Sequence, residues 1–378
     1  MRTGRHRLTL LPLGVAGIVL SACMPGLAGG GPVPGSTTGE ARSKAQAASR
    51  SLLPDVTTRL SQADGAVASS GDPKPALQGN PTGIWTADGG VPAWVAMPLT
   101  GPEPQTLLVT WNAVGYSYLN TENAPIRYTL QASTDSHDGR DGTWQTVATV
   151  SDNAVRARVD TIHAPGARWI KLAIETAGQN HLRLRDLAVY GVAAGNRPDA
   201  WFMLGDSITD GSYNALASRD FVEAVRRALP AHTPVVIDGG TQGDNSSQGA
   251  AKLPNALLLC PPGSFVGIAF GTNDTAQNAP LTTYRQNLQR MIDMVVASGR
   301  TPMLPRAPWF PNPKVVDYNT VVDELVAANH LQPGPDLYAW FQAHPEELGT
   351  DQIHPKETGR RSLQRLWGEA VARAYQAR

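Results

Sequence analysis

The rhythm of apolar residues changes once along this chain, near residue 200, and the two rhythms demand two kinds of structure. Between residues 56 and 193 the apolar runs are short. Trp94–Leu99, Thr106–Trp111, Ile126–Ala132, Thr143–Thr149 and Trp169–Ile174 are such runs, several alternating apolar with polar, separated by Gly, Asp, Asn and Ser clusters. Strands at this spacing predict an all-β sandwich. From residue 200 short apolar runs alternate with helical stripes. Ala200–Leu204, Pro234–Asp238, Ser264–Phe270, Thr301–Leu304 and Asp336–Tyr338 read as five strands. Asp220–Leu229 places Phe221, Val222, Val225 and Leu229 on one stripe. Tyr284–Ser298 does the same with Leu288, Met291, Ile292, Val295 and Val296, and Glu357–Gln376 closes as a helix. Strands alternating with helices predict an α/β fold whose parallel sheet is covered on both faces.

The N-terminus reads as an export signal over residues 1–22. Arg2, Arg5 and Arg7 precede an apolar stretch, Leu8–Leu20, that is too short to span a bilayer. Leu20, Ser21 and Ala22 then lead into Cys23. That box resembles the lipobox of bacterial lipoproteins, which implies cleavage before Cys23, acylation of Cys23, and anchoring to the cell membrane or outer membrane, facing periplasm or exterior. Residues 23–55, rich in Gly, Ala, Ser, Pro and Thr, read as a tether. The full chain has 32 basic and 32 acidic residues, and loss of the three Arg leaves a net charge of −3. With no basic surplus, a nucleic-acid partner is not expected. Two cysteines exclude a disulfide scaffold, and Cys260, in an apolar setting, reads as a buried inert thiol. The remaining histidines show no metal-ligand spacing, so neither metal nor cofactor is expected.

Ligand sites of open α/β sheets form beyond the carboxyl ends of the strands. Here the first strand is followed by Gly205, Asp206 and Ser207, the second by Gly239–Gly243, the third by Gly271–Asp274, and the last helix is preceded by Asp351 and His354. These segments converge on one crevice, and together they hold what acyl transfer needs. Ser207 supplies a hydroxyl nucleophile, His354 a base that works near neutral pH, and Asp351 a carboxylate that orients the imidazole. The backbone N–H groups of Ser207 and Gly240 and the amide of Asn273 supply an oxyanion hole. Gly239 and Gly243 remain rivals of Gly240 for that role. Trp309 either walls the substrate pocket or anchors a loop. Tyr116 and Tyr118 read as ordinary core or edge tyrosines, with stacking on a sugar as the alternative, and Asp206 as a structural hydrogen-bonder.

These blocks resemble the SGNH (GDSL) hydrolase superfamily. The resemblance covers residues 198–378 and implies a flavodoxin-like fold and metal-free esterase chemistry, with Ser207 as nucleophile, His354 as base, and Asp351 as its orienter. It implies Ser207, Gly240 and Asn273 as oxyanion donors. Asp238 stands where the family often has Asn, two residues before the glycine. Residues 56–193 resemble the discoidin-like (coagulation factor 5/8 type C) sandwich through Ala68–Gly71, Ile84 with Trp85, Trp94 with Val95, Tyr128–Asp135, Trp144 and Leu187–Gly191. Gln78 and Gly79 depart from its pattern. The combination leads to an expected envelope esterase that deacetylates a polysaccharide. A lipase, lysophospholipase, thioesterase or glycan O-acetyltransferase on the same fold is the alternative, and a non-catalytic lipid-tethered binding protein the third.

Overall fold

The computed structural model describes residues 52–377 apart from 79–82, 102–105, 194–196 and 217. The expected signal segment, Cys23, Gly79 and all but the last residues of the tether lie outside the described residues.

Two five-stranded antiparallel sheets form the first half. One orders β1 (Thr57–Arg59), β10 (Arg183–Val192), β5 (Thr106–Ala113) and β8 (Ala157–His163), with β3 (Trp85–Thr86) also pairing β10. The other orders β2 (Val67–Ala68), β4 (Ala93–Pro98), β9 (Trp169–Ala177), β6 (Pro125–Ser133) and β7 (Gln145–Val150). Alternation gives each strand one apolar side, and those sides meet. Val95 and Met97 of β4, Leu107 and Val109 of β5, Leu130 of β6 and Leu172 of β9 share one buried cluster.

The second half is a parallel sheet in the order β12 (Val235–Gly240), β11 (Ala200–Gly205), β13 (Phe265–Ala269), β14 (Thr301–Arg306) and β15 (Pro333–Asp336). This is the doubly wound order 2-1-3-4-5 of flavodoxin-like sheets. Helices cover both faces, and the central strand is accordingly apolar: Ala200–Gly205 is buried at every position. The fifth strand is displaced from its expected place at Asp336–Tyr338. Asp336 caps a helix, its carboxylate accepting the Ala339 N–H at 3.0 Å, so Leu337 and Tyr338 are helical. Gly334 lets β15 lie against β14, where a Cβ would stand 2.5 Å from the Leu304 carbonyl.

The two halves are not joined by a linker alone. Leu108, Tyr118, Val155, Ala157 and Val159 of the β region belong to one apolar cluster with Phe202, Leu204, Val235, Ile237 and Leu253. Tyr118 packs edge-on against Phe202, with ring centroids 5.3 Å apart. Through this contact runs a buried ion cluster. Arg156, immediately before β8, reaches Asp210 at 2.9 Å and Asp238 at 2.6 Å through one guanidinium nitrogen, and all three side chains are at most 2% exposed. Its other nitrogens donate to Asn112 Oδ1 at 2.7 Å and the Ser117 carbonyl at 3.2 Å. Two carboxylates share one cation, and burial drives both carboxyls up, Asp238 to about 7, against the pull of Arg156.

Removing one member of such a group strands buried charge, which typically costs about 3–5 kcal/mol. Arg156→Ala is therefore expected to lower stability by that amount in urea unfolding. Arg219→Ala, which removes an exposed pair with Glu223, is expected to change it by less than about 1 kcal/mol. Equal small effects would show that Arg156 carries no such burden.

Candidate active site

Ser207 opens the Ser207–Leu216 helix directly after β11. The turn is tight: a Cβ on Gly205 would lie 2.1 Å from Thr209 Oγ1, so only glycine fits. Asp206 is buried beneath the turn and accepts the Ile208 N–H at 2.9 Å. The loop before the last helix is equally constrained. Leu348 bridges Pro355, the Gly349 N–H donates to the His354 carbonyl at 2.7 Å, and Gln352 takes a left-handed conformation at φ 57°. Asp351 Oδ1 accepts the N–H groups of Ile353 and His354, each at 3.0 Å.

These two turns meet. Ser207 Oγ lies 2.8 Å from His354 Nε2, and His354 Nδ1 lies 2.7 Å from Asp351 Oδ2. The carboxylate holds the proton on Nδ1, leaving Nε2 to accept the serine hydroxyl. The His354 hydrogen bond, with help from the Ile353 N–H, lowers the Asp351 carboxyl to about 2. Asp351 is thus held as the carboxylate that His354 Nδ1 faces.

Asn273, in the short Thr272–Ala276 helix that follows β13, donates one amide proton to the Asp244 carbonyl at 2.8 Å and has a second to offer. Asp274 ties the same turn to the next segment. Its carboxylate accepts the Ser246 hydroxyl at 2.6 Å and the Ser246 N–H at 3.0 Å. Asn245 caps the Ser246–Leu259 helix in a reciprocal box with Gln248, and Lys252 holds the Asp244 carboxylate. The 243–246 loop is therefore fixed from three sides.

Gly240 does not suit the donor role expected of it. Its N–H donates to Asp238 Oδ1 at 2.9 Å, and its carbonyl accepts the Tyr118 N–H at 2.8 Å. Glycine stands there because a Cβ would lie 2.2 Å from the Asp210 nitrogen. Packing explains Gly239 too, since a Cβ would strike the Phe202 ring at 2.4 Å. Gly243 is different: it is exposed, left-handed at φ 79°, open around its Cβ position, and adjacent to Asp244.

Trp309 is half-buried against the apolar cluster that contains Ile208, the residue after Ser207. Tyr118 is core and Tyr116 is 70% exposed. The Cys260 thiol is buried, donates to the Ala256 carbonyl, and is pushed up to about 12 by burial, which leaves it inert. Among the described residues no cluster of His, Cys, Asp and Glu could hold a metal ion. Sequence reasoning missed Arg156, and with it the contacts from the β region into the site. The Ser117 N–H donates to Asp210 Oδ1 at 3.1 Å, and the Gln242 N–H donates to Ser117 Oγ at 3.1 Å.

The chain is similar to known proteins over its C-terminal part. Residues 203–361 match the family model of the GDSL-like Lipase/Acylhydrolase family. An arylesterase of Vibrio mimicus is 27% identical over 169 residues, which span 43% of this chain and 84% of the relative. Among solved structures, a lipase/acylhydrolase from Enterococcus faecalis shows 28% identity and a TM-score of 0.38, covering 46% of this chain and 93% of its own. An acetylxylan esterase from Geobacillus stearothermophilus shows 20% identity and a TM-score of 0.40, covering 48% and 96%. The C-terminal part of the chain is a GDSL/SGNH α/β hydrolase domain. The protein is an ester-bond hydrolase.

Burial sets a pH dependence beneath Ser207. Desolvation pushes the Asp206 carboxyl up to about 7 in the folded protein, against about 3.9 unfolded. The folded state then binds the extra proton between those values, so stability falls as pH rises from about 4 to about 7. Asp206→Asn is expected to flatten that fall, measured as melting temperature at pH 5 and pH 8. An unchanged slope would contradict the burial argument.

Proposed function

We propose that the protein is a serine esterase that removes acetyl groups from an envelope or extracellular polysaccharide through an acyl-enzyme on Ser207. The observation that carries this reading is the hydrogen-bonded series from Ser207 through His354 to Asp351. His354 takes the serine proton as Oγ attacks the ester carbonyl, and Asp351 stabilises the imidazolium that forms. The N–H groups of Ser207 and Gly243 and the free amide proton of Asn273 receive the oxyanion, each such donor typically contributing about 3 kcal/mol. His354 returns its proton to the departing sugar oxygen. Water then attacks the acyl carbon while losing a proton to His354, and His354 gives that proton to Ser207 Oγ as the acyl–Oγ bond breaks and acetate leaves.

The choice of Gly243 over Gly240 rests on the hydrogen bonds that occupy Gly240. The glycan part rests on the two antiparallel sheets that precede the hydrolase domain, read as a discoidin-like module, and on the name of the acetylxylan esterase among the similar structures. The box ending at Cys23 supports a lipid anchor that holds the enzyme at the envelope surface.

Ser207→Ala is expected to reduce p-nitrophenyl acetate hydrolysis at least about a thousandfold while leaving the fold intact. In a graded ester series, acetyl and propionyl esters should exceed octanoyl. Surviving activity in Ser207→Ala would remove the assignment. Preference for long chains would favour a lipase, and acyl transfer to glycan a transferase.

A further inference from the structure

Strand β12 is the outer strand of the parallel sheet, and the β region does not close against its whole length. Between them lies a cleft of about 670 Å³, walled by both halves and floored by Val235–Asp238. Ser207, Asp351 and His354 do not line it. Its volume falls within the range of about 300–1,000 Å³ typical of small-ligand sites.

Three features describe what the cleft receives. Asp186 lines it from a break in the β10–β5 register between Arg185 and Ala188, and stands left-handed at φ 53°. Such bulges re-aim a side chain, and left-handed backbone is uncommon outside glycine. Tyr213 also lines the cleft. It is 2% exposed, and its hydroxyl has no hydrogen-bond partner among the described residues. A buried hydroxyl left unpaired is unfavourable, and a ligand hydroxyl would satisfy it. The third feature is charge. Around the cleft, Arg158 is matched by Asp160, Arg219 by Glu223, and Asp238 by Arg156. Arg226 lines the same wall, is exposed, and has no ion-pair partner among the described residues. A free guanidinium is a planar fork suited to a carboxylate.

We propose that this cleft binds a segment of an acidic oligosaccharide, with a uronate carboxylate on Arg226, hydroxyls on Asp186 and Tyr213, and a ring face against Tyr190. A bare anion would leave Asp186, Tyr190 and Tyr213 unused, and an uncharged glycan would leave Arg226 unmatched. The site draws its physiological sense from the glycan-ester reading above, but its occupancy does not require turnover.

The test uses the full chain carrying Ser207→Ala, so that nothing is hydrolysed. Calorimetric titration with oligogalacturonate is set against a neutral xylo-oligosaccharide of equal length, at low and high salt. Oligogalacturonate is expected to bind at least about fivefold tighter than the neutral glycan and to weaken as salt rises. Arg226→Glu should weaken it at least about tenfold, and Tyr213→Phe about threefold, with unchanged melting temperatures. With Ser207 intact, Arg226→Glu should leave p-nitrophenyl acetate hydrolysis unchanged. Absence of binding, equal binding of the neutral glycan, or binding indifferent to both substitutions would overturn the proposal. Binding together with failure of the Ser207-intact chain to hydrolyse any ester would instead count against the esterase reading.

Discussion

One buried guanidinium organises this protein. Arg156 leaves the β region, loses all contact with water, and finds its compensation in two carboxylates of the hydrolase domain. Charge buried this way is tolerated only where geometry and hydrogen bonds satisfy it, so both halves must be in place together. The two carboxylates are not remote from the chemistry. Asp210 lies in the first turn of the helix that Ser207 opens, and Asp238 holds the Gly240 N–H at the root of the 240–246 loop. Ser117 and Tyr118 add backbone hydrogen bonds to the same segment. The turns that carry Ser207 and Gly243 are thus held partly by residues outside the segment that matches the hydrolase family.

Buried carboxylates recur around the site, and each does separate work. Asp206 caps the Ser207 turn, Asp274 fixes the start of the Ser246–Leu259 helix, and Asp244 is held by Lys252 while its carbonyl orients Asn273. Asp351 is the exposed one, and its pKa runs the other way. Hydrogen bonds keep it ionised where burial favours the neutral form of Asp206. Environment separates carboxyls of one chemical type into a charged partner of His354 and neutral-leaning supports.

Much of this was legible in the sequence because it is local. The alternation in Ile126–Ala132 and Trp169–Ile174 appears as β6 and β9, and the stripe in Asp220–Leu229 as the Arg219–Ala228 helix. Ser207, Asp351 and His354 stand out because each follows or precedes a recognisable element. The Ser246–Leu259 helix was hidden by an internal Pro254 and by Gly249, which packs on the Phe270 ring. β15 was hidden by Pro333, Gly334 and Pro335, residues that oppose a strand except where a neighbour must come close. The glycine proposed for the oxyanion was not legible, because the Gly240 N–H is taken by Asp238 of the same strand and its carbonyl by Tyr118, which arrives from the β region. Arg156 has no local pattern at all. Its role exists only after two halves of the chain have met.

If the two halves are one folded body, their cores must open together. Hydrogen exchange read by mass spectrometry across a urea series follows β5 and β9 of the β region beside β11 and β13 of the hydrolase domain. The slowest amides of all four strands are expected to lose protection at the same urea concentration, with one common slope. Opening of β5 and β9 at lower urea, while β11 and β13 stay protected, would contradict the account.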